Sequence, residues 1–268
     1  LFSETGIWPI KYRRVYLALK YLCYLLKLES ERPASNALCE SLSLAREQHI
    51  SWINDLRIVL SRLHVPVALD ISLGFDVHQV EDAMKCVEKS MEAWIDTEIE
   101  SSSKVREMLS GRMEMDSESG KLIKKTLAFR HYLRLTSPEH RRALTQLVLS
   151  SHSLAIERRR WKERGKPTVP EQWRLCRFCY AYIEDPAHAM FVCQNPDLVA
   201  LRSVFVAGIE KLVPGISDEF SDALQMFKGL LSRRELTPLL GKLAFDVLQV
   251  FDASPMLLVR EPVNRVDH

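Results

Sequence analysis

Four residues in the second half of the chain have the types and the spacing of a zinc site. Cys176 and Cys179 are separated by two residues, and His188 and Cys193 follow after eight and four intervening residues. A Cys-x-x-Cys turn brings two thiolates together, and zinc favours four sulfur or nitrogen ligands in a tetrahedron. Because the set contains no carboxylate and leaves no position open, it is typical of a structural site and not of a catalytic one. We therefore expect one structural Zn²⁺, held by a small CCHC knuckle.

Other interpretations of the cysteines are weaker. A redox-active Cys-x-x-Cys needs a thioredoxin-like βαβ setting, which the sequence does not offer, and a buried cluster without metal is the remaining alternative. The other three cysteines, Cys23, Cys39 and Cys86, are scattered singly, whereas a secreted disulfide framework is denser and its chain shorter. The pattern predicts a reducing compartment, so we expect an intracellular protein, nuclear or cytoplasmic, that is not secreted.

Positive charge is concentrated in the segment that leads to the cysteine cluster. Residues 121–178 carry fifteen Lys and Arg against four Asp and Glu, whereas residues 70–120 carry five against thirteen. The net charge of the whole chain is only +2, so the total hides this block. A local excess of this size attracts polyanions, and phosphate backbones favour a broad positive surface through the release of counterions. The alternative interpretation of such a run is a solvated face without a partner.

The basic and aromatic residues around the cysteines are the candidate contacts to RNA or DNA. Aromatic rings stack on unpaired bases, but Phe178, Tyr180 and Tyr182 could equally form the small core of a zinc module, with the two tyrosines the more exposed. Trp161 could likewise stack on a base or dock its helix to the core. The predicted nucleic-acid-binding residues are Arg158, Arg159, Arg160, Trp161, Lys162, Arg164, Lys166, Arg174, Arg177, Tyr180 and Tyr182.

Helical periodicity dominates the chain and predicts an all-α protein, an irregular helical bundle with a small inserted zinc knuckle. Apolar residues recur at intervals of three and four, and the chain has only nine glycines. The polar tract 114–120 is the best candidate for a domain boundary. We expect an N-terminal helical region over 1–116, a basic helical linker over 117–175, the knuckle over 176–195 and a C-terminal helical region over 196–268.

The first long helix is apolar on both sides. Its inner stripe follows the i, i+3, i+4, i+7 rule from Tyr12 onward, and its opposite side carries Leu17, Tyr21, Tyr24 and Leu25. A helix of this kind is either central in the core or packed against a missing partner, so we expect a polymerase or a second copy of the chain as a candidate partner. The apolar run is interrupted by lysines and is too short to span a bilayer, so no membrane partner is expected.

No group of residues has the spacing of a catalytic site, and we expect a protein that is not an enzyme. His152 and Glu157 match neither a zinc-protease pattern nor a triad, so structural roles are favoured for both. The sequence also lacks a Gly-rich phosphate loop and a convincing cluster of nuclease carboxylates. A small-molecule substrate is therefore not expected.

Residues 150–193 resemble a known family. The stretch SHSLAIERRRW, followed by EQWRLCRFCYAYIEDPAHAMFVC, is similar to the tail of fungal non-LTR retrotransposon polyproteins, C-terminal to the reverse transcriptase. The opening stretch GIWPIKYRRVYLALKYLCYLL is similar to the segment that follows the polymerase core in such elements. The positions that match the family pattern are His152, Leu154, Ile156, Glu157, Arg160, Trp161, Arg174, Leu175, Cys176, Cys179, Ala187, His188 and Cys193.

The resemblance implies that the knuckle and the linker before it hold template RNA or target DNA beside a polymerase. It does not imply polymerase activity, because the Tyr/Phe-x-Asp-Asp box that binds the catalytic metals is absent. The leading hypothesis is a non-catalytic, zinc-containing module that binds nucleic acid. The alternative is a helical scaffold for protein interaction in which zinc is purely structural, and a decayed fragment without function is also consistent with the sequence.

Overall fold

The structure, a computed structural model, describes residues 1–72, 75–116, 119–161 and 169–257. It divides the chain into two compact units. Unit 1 comprises Leu1–Ser101 with Thr126–Phe129, and unit 2 comprises Ser102–Lys125 with Arg130–His268. The chain is mainly helical, as predicted, and the described residues contain one sheet, of two strands.

The described residues of unit 1 form five helices. They are α1 (Phe2–Thr5), α2 (Ile10–Leu26), α3 (Pro33–Arg46), α4 (Trp52–Ser61) and α5 (Val77–Ser101). The helix α2 packs along α5, where the buried Tyr12 hydroxyl donates to the Ser90 carbonyl oxygen at 3.4 Å. The inner stripe of α2 is buried as predicted. Of the residues predicted on its opposite side, Leu17, Tyr21 and Tyr24 are exposed, whereas Leu25 is buried.

The described residues of unit 2 form the remaining α-helices and a small hairpin of two strands. They are α6 (Arg106–Leu109), β1 (Met113–Met115), β2 (Leu122–Lys124), α7 (Pro138–Val148), α8 (Ala155–Arg158), α9 (Pro196–Leu212), α10 (Ala223–Ser232) and α11 (Thr237–Asp252). The two strands are antiparallel, with Met113 opposite Lys124. The helices α9, α10 and α11 follow the cysteine cluster.

The core of unit 2 lies where α11 packs against α7 and α9. Helix α7 begins after a capping serine, because the Ser137 Oγ accepts a hydrogen bond from the His140 backbone N–H at 3.3 Å. Gly241 lets α7 approach α11 closely, because a Cβ at this position would lie 2.8 Å from Cδ1 of Leu135 and 3.1 Å from Cβ of His140. A larger residue at this position would require Leu135 and His140 to shift.

The chain passes between the two units at three places. It enters unit 2 between Ser101 and Ser102 and returns to unit 1 for Thr126–Phe129. Within the polar tract 114–120, Glu114 and Met115 belong to strand β1. Within the predicted linker over 117–175, the helix α7 buries Leu144 and Leu147 completely.

The hairpin carries a buried cluster of charges. Glu114 on β1 is 4% exposed and accepts a hydrogen bond from Nη1 of Arg130 at 2.9 Å, while Nη2 of Arg112 lies 3.6 Å from the same carboxylate. Nη2 of Arg130 also donates to the carbonyl oxygen of Lys125. These contacts hold the hairpin within unit 2.

In the described part of the chain, no helix is both long and apolar enough to cross a membrane.

Candidate metal centre

The first two candidate ligands lie on a tight turn. The backbone N–H of Cys176 donates to the carbonyl oxygen of Tyr182 at 2.8 Å, and the N–H of Tyr180 donates back to the Cys176 carbonyl at 3.0 Å. Tyr180 has a φ of 56°, a left-handed conformation that is uncommon for a residue other than glycine. The turn therefore reverses the chain directly after Cys179, and both sulfur atoms stay on the same side.

The other two ligands lie at the two ends of a π-helical turn, His188–Val192, with His188 as its first residue and Cys193 directly after its last. The turn begins where Oδ1 of Asp185 accepts a hydrogen bond from the His188 N–H at 2.7 Å, and it is closed by the Cys193 N–H, which donates to the His188 carbonyl at 2.9 Å. This bond spans five residues and brings together two side chains separated by four residues. The π-helical form of this turn is a finding of the structure.

The four ligand atoms come together as the spacing predicts. The Sγ and Nε2 atoms of Cys176, Cys179, His188 and Cys193 all lie within 4.8 Å of one another. The Sγ atoms of Cys176 and Cys193 are 3.7 Å apart, and the Cys179 Sγ lies 3.4 Å from Nε2 of His188. A tetrahedral ion with bonds of about 2.3 Å to sulfur and 2.0–2.1 Å to nitrogen would place such pairs about 3.5–3.8 Å apart. The cluster therefore has the dimensions of a site that could hold a metal ion.

The surroundings of the cluster change the proton affinity of its ligands. Burial raises the pKa of the Cys176 thiol to about 12. Burial also acts to raise the pKa of Cys179, but hydrogen bonds from the backbone at Ala181 and Tyr182 and from the neighbouring thiols outweigh it and lower that pKa. Burial lowers the pKa of His188, which favours the neutral imidazole that binds metals. A bound cation would stabilise the thiolate form that burial of Cys176 disfavours.

Arg202 is a residue of the site that the sequence analysis missed. Its guanidinium, on α9, donates to the carbonyl oxygens of Phe191 and Cys193. These carbonyls belong to the end of the π-helical turn, where backbone acceptors have no partner within the helix. Arg202 therefore holds the turn against α9. The only sequence signal for this role was the position of Arg202 on the helix that directly follows the last ligand.

Arg177 is not placed where it could meet a phosphate. Its side chain is buried and donates to the Glu184 carboxylate, with the shortest contact at 2.7 Å from Nη2 to Oε1. It also donates to the carbonyl oxygens of Phe251, Ser254 and Ser153 at 2.7, 2.8 and 3.2 Å. The prediction that Arg177 binds nucleic acid disagrees with this burial. Its guanidinium instead joins the cysteine turn to the end of α11.

Glu184 completes this buried contact from the other side. Its carboxylate is fully buried and also accepts hydrogen bonds from the backbone N–H groups of Ala155 and Arg177, each at 2.8 Å. Paired charges with all of their hydrogen bonds satisfied are the form in which ionised groups tolerate burial. The sequence signal was an acidic residue between the two ligand pairs, but its partner could not be chosen from spacing alone.

The other described basic candidates differ in how far they are engaged within the chain. Arg158 is exposed at the end of α8, whereas Nη2 of Arg159 donates to the Leu257 carbonyl at 2.7 Å. Arg160 lies 3.4 Å from Glu157, and Arg174 donates to the carbonyl oxygens of Val169 and Ile156. The helix α8, which carries the start of the arginine run, is short and ends at Arg158. Lys162, Arg164 and Lys166 lie outside the described residues.

The aromatic candidates are placed as two different groups. Tyr180 and Tyr182 are 60% and 62% exposed, and the ring of Tyr182 lies 5.5 Å from that of His188. Phe178 instead packs edge-on against Phe251 of α11, with ring centroids 4.9 Å apart. The tyrosines are thus free to meet a ligand beside the metal cluster, while Phe178 contributes to packing. Trp161 is also exposed, with the Lys104 ammonium 5.8 Å from its ring.

His152 and Glu157 are both buried. Glu157 lies 3.3 Å from the Lys104 ammonium and 3.4 Å from Nε of Arg160. Nδ1 of His152 accepts a hydrogen bond from the Leu154 N–H at 3.3 Å. Burial, together with the positive charges of Lys104 and Arg160, lowers the pKa of His152 to about 4.

The lowered pKa of His152 predicts a pH dependence of stability. An unfolded histidine titrates near 6.5, so between about pH 6.5 and 4 the unfolded chain binds a proton that the folded chain does not. The free energy of unfolding should therefore fall as the pH falls through this window, by up to about 3 kcal/mol from this residue.

Urea unfolding between pH 7 and pH 4 measures this dependence, and comparison of variants removes the contribution of other groups. His152→Gln should flatten the profile relative to the unchanged chain, whereas the exposed control His78→Gln should not. Parallel profiles for the chain and for His152→Gln would contradict the assignment.

The fold and the cluster together define a mainly helical protein with a Cys3His group able to hold a metal ion. The chain matches no protein-family model, no curated protein and no solved structure. Its function must therefore follow from the geometry of the cluster and its surroundings.

Proposed function

We propose that the chain is a non-catalytic, zinc-containing module that binds RNA or DNA, derived from the tail of a retrotransposon reverse transcriptase. The observation that carries the proposal is the cluster of Cys176, Cys179, His188 and Cys193 within 4.8 Å, next to two exposed tyrosines on the same turn. Three thiolates and one imidazole form a typical structural zinc set. The resemblance of residues 150–193 to the retrotransposon tail supports the same function.

The proposed contacts are a stacking surface and a charged edge. Tyr180 and Tyr182 project from the turn that the metal would fix, so the ion would order the rings before a ligand arrives and reduce the entropy lost on binding. Of the arginines predicted to contact nucleic acid and described by the structure, Arg158 is the exposed one. Stacking on aromatic rings tolerates any base, and arginine contacts to phosphate are equally independent of sequence. We therefore propose binding with little sequence preference.

Filter binding at low salt, with a single-stranded RNA and a DNA duplex, tests the function. Tyr180→Ala combined with Tyr182→Ala should weaken single-strand binding by about tenfold or more. Arg158→Gln should weaken binding evenly across sequences and lower the salt slope by about 0.7–0.9 for the lost phosphate contact. Arg158 is preferred to Arg159 and Arg160, since those two make contacts within the chain.

A matched control separates these effects from a general loss of charge. Arg234→Gln removes another exposed arginine of unit 2 and should leave the affinity and the salt slope nearly unchanged. The absence of affinity for any of these nucleic acids at low salt would refute the proposal. An equal effect of Arg234→Gln and Arg158→Gln would refute the proposed site.

A helical scaffold with a purely structural zinc is the second candidate function. The observation that favours it is the number of predicted cations that are engaged within the chain, above all the buried Arg177. On this view the metal and the Arg177–Glu184 contact only hold unit 2 together. A chain that binds zinc, folds cooperatively and has no affinity for nucleic acid would support this candidate over the first.

A further inference from the structure

A second surface with aromatic and basic residues lies on unit 1, remote in sequence from the metal cluster. We name it the α2 platform and define it by the solvent-exposed residues Arg13, Arg14, Leu17, Lys20, Tyr21 and Tyr24 of α2, together with Trp52 of α4. The α2 residues are spaced by three and four, so they share one face of the helix. The opposite face of α2 is buried within unit 1 and is not available to a ligand.

The aromatic side chains of the platform form one contiguous group. The rings of Tyr21 and Tyr24 have centroids 6.0 Å apart and planes 25° apart, and the ring of Trp52 meets Tyr21 edge-on at 6.0 Å. Tyr21 and Tyr24 remain 53% and 56% exposed. A core would bury such rings, whereas a group of exposed aromatic rings is characteristic of a binding surface.

The charge of the platform is of one sign. Helix α2 contains four Lys and Arg residues and no Asp or Glu. Its exposed cations Arg13, Arg14 and Lys20 form no ion pair with any described carboxylate. Cations that form no ion pair, beside exposed rings, are complementary to a ligand that is both planar and anionic.

We infer that the α2 platform binds single-stranded nucleic acid, with bases stacked on Tyr21, Tyr24 and Trp52 and phosphates along the basic edge. An aromatic surface flanked by positive charge is how proteins bind single strands without sequence preference. A duplex hides the faces of its bases, so it could use only the cations. This site goes beyond the proposed function, which concerns the surface beside the metal cluster in unit 2.

Fluorescence anisotropy of the full chain with a labelled oligouridine of about 12 nucleotides tests the inference. Tyr21→Ala and Trp52→Ala should each weaken binding about tenfold, whereas Tyr21→Phe, which keeps the stacking ring, should bind nearly as the unchanged chain. Arg14→Gln and Lys20→Gln should each lower the salt slope by about 0.7. A DNA duplex should be much less sensitive to Tyr21→Ala than the single strand is.

Two controls are matched to these changes within unit 1. Phe129→Ala removes an aromatic ring that is 50% exposed, and Lys85→Gln removes an exposed lysine of α5; both should leave binding unchanged. Photocrosslinking of an oligonucleotide that contains 5-bromouridine, followed by peptide mass spectrometry, should label the peptides of Tyr21 or Tyr24. Circular dichroism shows whether each variant has kept its helical fold.

The outcomes separate this inference from the proposed function. Loss of binding with Tyr180→Ala and Tyr182→Ala, but not with Tyr21→Ala, would overturn the inference and leave the proposed function intact. The reverse result would support the inference and refute the site beside the metal. Sedimentation that shows self-association abolished by Tyr21→Ala, with unchanged oligonucleotide binding, would identify the platform as a protein interface and overturn the inference.

Discussion

Elemental mass spectrometry of the purified chain should find one zinc ion per molecule, and Cys176→Ser should abolish it. Cys176 is the buried member of the Cys-x-x-Cys pair, and its Sγ lies 3.7 Å from that of Cys193, so its loss removes one corner of the tetrahedron. Structural zinc binding releases about 10–16 kcal/mol in zinc-finger peptides, and this energy stabilises the fold. We therefore expect Cys176→Ser to unfold the cluster and to lower the thermal stability of unit 2.

The matched control for this experiment is Cys39→Ser. Cys39 is an exposed cysteine of α3 in unit 1, so its replacement should leave one zinc per chain and an unchanged melting temperature. Cobalt substitution adds a test of geometry, because a tetrahedral Cys3His site gives strong visible absorption bands that Cys176→Ser should remove. Full zinc content in Cys176→Ser, or a metal other than zinc in the unchanged chain, would contradict the assignment.

Breaking the buried Arg177–Glu184 contact should be the second large effect. Arg177→Met leaves the fully buried Glu184 carboxylate without its charged partner. In the same way, Glu184→Gln leaves the buried Arg177 guanidinium without its charged partner. Removing one member of a buried ion pair costs about 3–5 kcal/mol. Each variant should lower the free energy of urea unfolding by about that amount, at pH 7 and with zinc present.

The double variant shows whether the effect belongs to the pair. Arg177→Met combined with Glu184→Gln should be less destabilising than the sum of the single changes, because neither side chain then remains as an unpaired charge. Breaking the exposed pair of Lys85 and Asp82 with Lys85→Met should leave the unfolding midpoint unchanged. Strictly additive single effects, or single effects as small as that of Lys85→Met, would show that the contact does not stabilise unit 2.

The different outcomes for the arginines show how far charge patterns can be interpreted. Residues 121–178 have a large excess of positive charge, and that count is correct whatever the fold. The acceptors of Arg177, however, include the carbonyls of Phe251 and Ser254, which lie 74 and 77 residues further along the chain. Spacing within one segment cannot predict contacts between groups so far apart in sequence.

The helix α2 shows the same division between what a local pattern predicts and what tertiary contacts decide. Its inner stripe could be predicted because helical geometry places residues three and four apart on one face. Its second apolar side was correctly noted, but two explanations remained, burial at the centre of the core or a missing partner. In the structure Leu17, Tyr21 and Tyr24 are exposed, because the elements of unit 1 that pack against α2 cover its other face. Only the packed neighbours of a helix determine which side solvent can reach.

The candidate metal ligands are the part of this protein that the sequence determined by itself. Their approach depends on local geometry, a two-residue turn and a hydrogen bond from Cys193 to His188 that spans five residues, so the spacing already contains the site. The tertiary structure decided what surrounds it. It buried Arg177 against Glu184, left Tyr180 and Tyr182 exposed, and placed Phe178 on α11, because burial and charge pairing depend on which distant residues the fold brings to each side chain.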